Sequence, residues 1–310
     1  MNENYEQHTE TPGSLAEVLD VRPVMPPINA DNATHKQLLF LGLKPQEGRG
    51  RVFGGLVIGQ ALAAASKTVT NTKSIHSLHA YFMRAGDSAL PIHYEVHNDR
   101  DGQSFSTRRI LAYQKDNPIL SLTASFHIQE PGMNHQYTMP DVPLPEQLLN
   151  NHQLAARYAD KISDKLVKIL KQKLPIETRP IEQGIPFCNK EADTQQAVWF
   201  RSRQPLGDNP IIHRAALAFA SDMGLLGTCM RPHKLTWYTP NLQSASLDHS
   251  LWFHEPLIQA DEWMLYVMDT PWSGGARGFN RGSIYNQEGK LIASAAQEGL
   301  LRITDTNFNR

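Results

Sequence analysis

A long apolar stretch followed by short strand-like runs dominates the first half of the chain. Residues Arg51–Ser66 (RVFGGLVIGQALAAAS) are apolar on every side except at Gln60. This pattern predicts a helix buried inside a protein, because the stretch is too short to cross a bilayer. Four runs rich in aromatic and β-branched residues follow, separated in part by the turn-forming sequences DRDG and KDNP. The predicted strands are Ser74–Arg84, Pro91–Val96, Gln103–Tyr113 and Pro118–Gln129.

The second half of the chain repeats this order of elements. A helix capped by Asn209 is predicted before a second meander of four strands, which occupies residues 246–302. The two meanders share residues at a constant offset, since Tyr113 and Tyr285 are 172 positions apart (285 − 113). The helices match at an offset of 162, which sets Gln60 opposite Asp222 (222 − 60). The repeat predicts two tandem copies of one α+β unit.

The repeat and the composition between its copies define the predicted domains. Residues 1–30 form an N-terminal extension that is partly disordered and in which Ser14 caps a short helix. Residues 31–130 form the first copy, and residues 131–175 form a Pro-rich linker with surface helices. Residues 176–310 form the second copy, which carries the candidate catalytic residues.

Composition and charge exclude several classes of function. The formal net charge of the 310 residues is -1, which offers no electrostatic reason to expect a nucleic acid or membrane partner. The two cysteines, Cys188 and Cys229, are too few for a disulfide framework or a zinc site, so free thiols are expected. The polar, acidic N-terminus is not a signal peptide, and the C-terminus carries no peroxisomal address. A cytoplasmic location is therefore expected.

The two copies differ where polar side chains are predicted to be buried. The offset of 172 sets Ser74 opposite Ser246 and Ser125 opposite Gln297, and with Asp222 only the second copy carries a carboxylate. Strand alternation places Gln297 on an inward face. It places Ser246 on the more polar face of its strand, unless a strand start or a bulge redirects the side chain. Because a buried carboxylate without partners is costly, Asp222 is expected to be hydrogen-bonded or functional.

Seven segments together give a family resemblance that covers residues 35–302 in the right order. They are VFGGLVIGQALAAA, HSLHAYFMRAGDS, RDGQSFSTRR, ASDM, SLDHSLWFHEP, ARGFNRG and AQEGLLR. The chain resembles the acyl-CoA thioesterase II family. The resemblance implies a double hotdog fold, in which two tandem copies of a long central helix are each wrapped by an antiparallel sheet and the two sheets join. It also implies metal-free hydrolysis of fatty acyl-CoA, usually of medium to long chain, to free acid and coenzyme A.

The family's catalytic trio of Asp, Thr or Ser, and Gln corresponds to Asp222, Ser246 and Gln297 of this chain. Serine at the middle position keeps the hydroxyl. The resemblance thus implies that Asp222 activates a water as general base while Ser246 and Gln297 orient it. Direct attack by the Asp222 carboxylate, forming an acyl anhydride, is an alternative that sequence does not separate.

Several further residues are assigned to the substrate. Backbone N–H groups at the start of the first helix, Gly54, Gly55 and Leu56, are expected to hold the oxyanion, since no bulky side chains shield the first two. His79 and His249 are assigned supporting roles in substrate binding. No spacing of histidines and carboxylates marks a metal site, and no cofactor is expected.

The sequence leaves two other functions open. A hotdog hydratase or dehydratase acting on acyl thioesters needs a histidine and a carboxylate as an acid and base pair, and no histidine lies on the helix face of Asp222. A non-catalytic acyl-CoA-binding protein is the third class, which the polar residues confined to the second copy argue against. The expected partner is an acyl-CoA substrate, and a homo-oligomer, dimer or tetramer, is expected because symmetric assembly is common among soluble enzymes.

Overall fold

The computed structural model describes residues 14–24, 37–44, 50–187 and 193–304. Its helices are α1 (Leu15–Leu19), α2 (Gly54–Ser66), α3 (Asn151–Arg157), α4 (Asp164–Leu170), α5 (Pro210–Ser221) and α6 (Leu225–Thr228). The strands of the first half are β1 (Arg22–Val24), β2 (Gln37–Gly42), β3 (Lys73–Phe82), β4 (Ile92–Asp101), β5 (Phe105–Gln114) and β6 (Asn117–Ile128). Those of the second half are β7 (Ile176–Pro180), β8 (Gln195–Ser202), β9 (Leu242–Ser246), β10 (Asp248–Phe253), β11 (Met264–Gly274), β12 (Arg277–Asn286) and β13 (Leu291–Ile303).

The helices begin where the sequence supplies caps. The Ser14 side chain accepts from the Glu17 N–H at the start of α1, and the Glu17 carboxylate accepts from the Ser14 N–H, which completes a capping box. Asn209 caps α5 by accepting from the Ile211 N–H. These two caps, both predicted from the sequence, are confirmed.

All strands of the described residues join one antiparallel sheet. Its order is β1-β2-β4-β5-β6-β3-β10-β13-β12-β11-β8-β7, and β9 pairs with β13 beside β10. The first and second halves meet where β3 pairs with β10. Two copies of a helix with an antiparallel sheet, and the joining of the two sheets, are as predicted. The predicted meander order is wrong for the first strand of each copy, because β3 pairs with β6 instead of β4 and β10 pairs with β13 instead of β11.

The helices α2 and α5 lie antiparallel on the inner face of this sheet. A Cβ on Gly59 would lie 2.9 Å from the Ala215 carbonyl oxygen, so glycine is needed for this close approach of the two backbones. Leu56 to Ala65 of α2 are all buried, as the apolar sequence predicts. One hydrophobic cluster contains buried residues from both halves, so the two copies share a core.

The register of the last hairpin corrects part of the predicted repeat. Tyr113 pairs with Pro118 in the first copy, whereas its counterpart Tyr285 pairs with Leu291 in the second, so the second turn is one residue longer. The offset between the copies therefore becomes 173 beyond this turn. The counterpart of Gln297 is Ala124 (297 − 124), and the predicted match to Ser125 is wrong. Ser125 lies on the other face of its strand, where its hydroxyl contacts His76.

A second correction concerns the strand that carries Ser246. Ser246 pairs with Gly299 as Ile75 pairs with Phe126, and Gly299 and Phe126 are themselves 173 apart. Ile75, and not the predicted Ser74, is thus the counterpart of Ser246. The Ser74 hydroxyl instead accepts from the Arg214 guanidinium.

The segment between the copies carries α3 and α4, as expected of a linker with surface helices, together with a short 3₁₀ turn at Pro145–Gln147. The predicted domain boundaries stay predictions. The expected disorder before Ser14 and the free thiol of Cys188 lie outside the described residues, whereas Cys229 is a free, buried thiol. No helix in the described part of the chain has the length and apolar character needed to span a membrane.

Candidate active site

Asp222 lies where the helix of the second copy ends. It is the C-cap residue of α5, and Gly224 two residues later adopts a left-handed conformation (φ 78°) before the short helix α6 begins. The preceding carbonyl of Ser221 accepts from the Tyr266 hydroxyl at 2.8 Å, which holds the end of the helix to the sheet. Only 8% of Asp222 is exposed, so its carboxylate needs the partners described below.

Ser246 reaches Asp222 because the strand is interrupted after it. Ser246 ends β9, Leu247 lies between the strands, and Asp248 begins β10. The register against β13 shifts by one residue across Leu247, which is the effect of a β-bulge. The bulge directs the Ser246 hydroxyl to Asp222 Oδ1, at a donor–acceptor distance of 3.4 Å. The difficulty that strand alternation raised for Ser246 is thereby resolved.

Gln297 makes the shortest contact to the carboxylate. It is fully buried on β13, as strand alternation predicts, and its Nε2 donates to Asp222 Oδ1 at 2.6 Å. The Gln297 carbonyl oxygen Oε1 is also buried, yet no group among the described residues donates to it. A buried acceptor that lacks a donor needs an explanation.

In the first copy, the buried amide on helix α2 has no acceptor that lacks a donor. Gln60 of α2 is fully buried, and its Nε2 donates to the carbonyl oxygens of Val18 and Leu43 at 2.6 and 2.9 Å. Its Oε1 accepts from the Tyr94 hydroxyl at 2.8 Å. The amide of Gln60 is therefore satisfied within the fold and ties the N-terminal segment to α2.

The start of α2 faces the same carboxylate. A Cβ on Gly54 would lie 2.8 Å from Asp222 Oδ2 and 2.8 Å from the ring of Phe82. The first-turn N–H groups of a helix lack partners inside that helix and carry a partial positive charge, which suits a nearby anion. Asp222 Oδ1 receives the two side-chain hydrogen bonds, whereas no side chain of the described residues donates to Oδ2.

Leu56 differs from the two glycines in this helix turn. Its N–H donates to the Phe53 carbonyl oxygen at 3.1 Å, so it is not available to an oxyanion in this arrangement. The oxyanion role of Gly54 and Gly55 stays a prediction, whereas the N–H of Leu56 is already used within the chain.

The two histidines assigned to the substrate lie on opposite faces of the sheet. His79 is on the exposed outer face, where its Nδ1 contacts the Ser250 hydroxyl and its ring lies edge-on to Trp252. Strand alternation turns it away from α2 and α5, so the structure does not bring it to Asp222.

His249 is on the inner face and fully buried. Its Nδ1 lies 3.3 Å from Gln297 Nε2, and its Nε2 lies 2.9 Å from the Ser221 hydroxyl. Burial lowers the pKa of His249, and the neighbouring Asp222 carboxylate opposes that shift. No histidine lies on the helix face of Asp222, as the sequence indicates, but the adjacent strand brings His249, which was assigned a supporting role, next to Gln297 and Asp222.

No group of three or more metal-binding side chains is found in the described residues. The polar groups that converge at the site are one carboxylate, a hydroxyl, an amide with the His249 imidazole beside it, and the backbone N–H groups of a helix start. Such a set can hold and deprotonate a water and stabilise an oxyanion.

Two protein-family profiles match this chain. Residues 168–300 match a family described as acyl-CoA thioesterase. Residues 44–127 match one described as the acyl-CoA thioesterase N-terminal domain.

Individual relatives extend the match to most of the chain. It is 39% identical to acyl-coenzyme A thioesterase 8 of Homo sapiens over 303 residues, covering 95% of this chain and 92% of that protein. It is 35% identical to acyl-CoA thioesterase 2 of Haemophilus influenzae over 271 residues, covering 86% and 93% respectively. The crystal structure of an acyl-CoA thioesterase II, TesB2, from Mycobacterium marinum is 34% identical and superposes with a TM-score of 0.73, covering 96% of this chain and 99% of that one.

The sheet topology and the structural match confirm the predicted α+β double hotdog fold. The fold and these matches together define the class of the protein as a thioester hydrolase. The chain belongs to the acyl-CoA thioesterase II family.

Proposed function

We propose that this enzyme hydrolyses fatty acyl-CoA thioesters to a free fatty acid and coenzyme A, with Asp222 as the general base. The observation that carries the proposal is the buried pair of Asp222 and Gln297, joined at 2.6 Å, in which Gln297 Oε1 has no partner among the described residues. The names of the relatives support the substrate class.

A water is the ligand that suits this pair. One O–H of the water donates to Gln297 Oε1, and the other donates to Asp222 Oδ2. Ser246 and the Gln297 amide hold Oδ1, so the carboxylate is fixed while its second oxygen takes the proton. This orientation places a lone pair of the water toward the thioester carbonyl carbon.

The chemical step then proceeds by addition and elimination. The water oxygen bonds to the carbonyl carbon as its proton passes to Asp222, and the carbonyl oxygen becomes an oxyanion. The N–H groups of Gly54 and Gly55, at the positive end of α2, stabilise that charge. The tetrahedral intermediate collapses, the C–S bond breaks, and the coenzyme A thiolate takes the proton that Asp222 holds.

The test is the hydrolysis of a series of acyl-CoA chain lengths, followed with a thiol-trapping dye. We expect Asp222→Asn to lower kcat by about 10²-fold or more with little change in stability, because the amide cannot accept the proton. Asp269→Asn is the matched control, since Asp269 pairs with Arg281 outside the core, where an ion pair contributes little. Turnover of Asp222→Asn equal to that of the control contradicts the proposal.

Direct attack by Asp222 predicts a different label pattern. In single-turnover hydrolysis in ¹⁸O-water, a water nucleophile leaves Asp222 unlabelled, whereas an acyl anhydride that water opens at the Asp222 carboxyl carbon leaves ¹⁸O in that carboxylate. Label found by mass analysis in the peptide that contains Asp222 therefore establishes the anhydride route.

Two properties stay predictions from the sequence. They are a homo-oligomeric state, dimer or tetramer, and a cytoplasmic location. Light scattering after size-exclusion chromatography measures the first.

A further inference from the structure

The amide of Gln297 is held at two points. Its Nε2 carries two hydrogens; one is donated to Asp222 Oδ1 at 2.6 Å and the other is directed to His249 Nδ1 at 3.3 Å. A single hydrogen bond leaves an amide free to rotate about that contact, whereas two bonds from one nitrogen define the plane of the group. The direction of the unpartnered Oε1 is thereby defined as well.

The donors and acceptors around His249 form a chain with one direction. The Ser221 hydroxyl donates to the Ala218 carbonyl oxygen at 2.9 Å. Its oxygen is then the acceptor for His249 Nε2–H at 2.9 Å. A neutral imidazole with its hydrogen on Nε2 has a bare Nδ1, which is the acceptor that Gln297 needs. The buried surroundings favour this neutral form.

The first copy carries apolar residues at the positions that correspond to His249 and Gln297. Leu78 pairs with Ala124, and continuing the register of β10 on β13 by one residue sets His249 beside Gln297. Leu78 is thus the counterpart of His249 (249 − 78 = 171), just as Ala124 is the counterpart of Gln297. Both positions are apolar and fully buried in the first copy. The amide and its second anchor occur together in the second copy, which also carries Asp222.

We propose that His249 is a positioning residue for hydrolysis: as a hydrogen-bond acceptor fixed by Ser221, it sets the plane of the Gln297 amide and so the direction of Gln297 Oε1. The proposal rests on the function proposed above, in which that oxygen orients the attacking water. His249 itself contacts Gln297 and Ser221, and it acts on the reaction only through Gln297.

A double-mutant cycle between His249 and Gln297 tests this role. His249→Leu introduces the residue that the first copy carries at the corresponding position. Gln297→Ala likewise introduces the alanine that the first copy carries in place of the amide. We expect each single variant to lower kcat by roughly 10- to 100-fold, as losses of buried orienting partners do elsewhere, with little change in KM. The double variant is expected to be no slower than Gln297→Ala, because His249 has nothing left to position. Independent losses that multiply in the double variant overturn the proposal.

His249→Asn adds a rescue within the same experiment. An asparagine Oδ1 can occupy the place of Nδ1 and accept from Gln297, although it does not reach Ser221. We expect this variant to recover most of the kcat that His249→Leu loses. If His249→Leu does not fold, His249→Gln is used in its place. The glutamine side chain is long enough to keep the contact to Ser221 but has no acceptor at the position of Nδ1. An asparagine variant as slow as the variant without that acceptor contradicts the proposal.

Failure of the positioning role of His249 can be distinguished from failure of the proposed function. If Asp222→Asn and Gln297→Ala are slow while His249→Leu turns over at the wild-type rate, the positioning role is wrong and the base assignment stands. If Asp222→Asn and Gln297→Ala both retain wild-type turnover, the proposed mechanism itself is wrong.

Discussion

Asp222 and Gln297 are hydrogen-bonded to each other, and each keeps one side-chain oxygen to which no side chain of the described residues donates. Oδ1 of the carboxylate accepts from Gln297 and Ser246, while Oδ2 faces Gly54. The amide donates from Nε2, while its Oε1 has no partner among the described residues. Burying an acceptor in this way costs free energy, on the order of 1–3 kcal/mol for a neutral group. The proposed catalytic water accounts for that cost.

Gly54 is the residue at which the helix start and the carboxylate approach most closely. We expect Gly54→Ala to lower kcat/KM by about 10-fold or more, because the added Cβ would lie 2.8 Å from Asp222 Oδ2 and displace either the carboxylate or the N–H groups of the first turn. Steady-state hydrolysis of one acyl-CoA measures the effect. Gly132→Ala is the control, since a Cβ there meets nothing within 4 Å. Equal activities of the two variants would remove Gly54 from the site.

Two interruptions of regular structure bring the side chains together. The helix of the second copy ends at Ser221 and resumes as α6 after Gly224, whereas α2 continues without a break from Gly54 to Ser66. The strand likewise breaks at Leu247, between Ser246 and Asp248. The first break makes Asp222 a helix cap, and the second turns Ser246 inward. Both departures from regular structure therefore lie beside the candidate site.

The break after α5 requires a left-handed residue, which gives a prediction for Gly224. We expect Gly224→Ala to lower the free energy of unfolding by about 1–2 kcal/mol, because a Cβ disfavours positive φ. We also expect kcat to fall, since Asp222 is two residues away. Urea unfolding and initial rates measure the two effects. Gly184→Ala is the control, because a Cβ there meets nothing within 4 Å and its φ is not in the left-handed region. A kcat for Gly224→Ala equal to that of the control would show that the break does not position Asp222.

The candidate site is built from both halves of the molecule. The first half supplies the start of α2, and the second supplies Asp222, Ser246, His249 and Gln297. The halves are joined by the β3–β10 pairing, by the α2–α5 contact and by one shared hydrophobic cluster. We therefore expect the two copies to unfold as one cooperative unit.

The positions of the tryptophans make this expectation testable. All five tryptophans lie in the second half, at Trp199, Trp237, Trp252, Trp263 and Trp272. We expect Leu62→Ala, in the core of α2, to lower stability by about 2–5 kcal/mol. It should shift the tryptophan fluorescence transition as much as the far-UV circular dichroism transition, although the change is in the first half. Leu38→Ala is the control, since 41% of Leu38 is exposed. An unshifted fluorescence transition would mean that the copies unfold independently.

Local sequence patterns predicted the two long helices and most of the strands, but not β1, β2, β7 or β8. The buried helix of the first copy, the capped helix of the second and the strands of both meanders follow from apolar spacing, caps and turns. The inward position of Gln297 follows from alternation along β13, because a strand buried on one face tolerates no slip in register. Such features depend on neighbours within a few positions, so the order of residues determines them.

The arrangement of the site depended on contacts between segments far apart in the chain. The predicted equivalence of Ser125 with Gln297 fails because one turn is a residue longer, and that shift becomes visible only through strand pairing. Ser246 faces Asp222 through a bulge, and His249 meets Gln297 from a neighbouring strand, 48 residues away along the chain. Local sequence thus determined the helices, the strands and the inward amide. The folded molecule determined which buried polar groups meet, since hydrogen bonds between strands and helices form only when the whole sheet is in register.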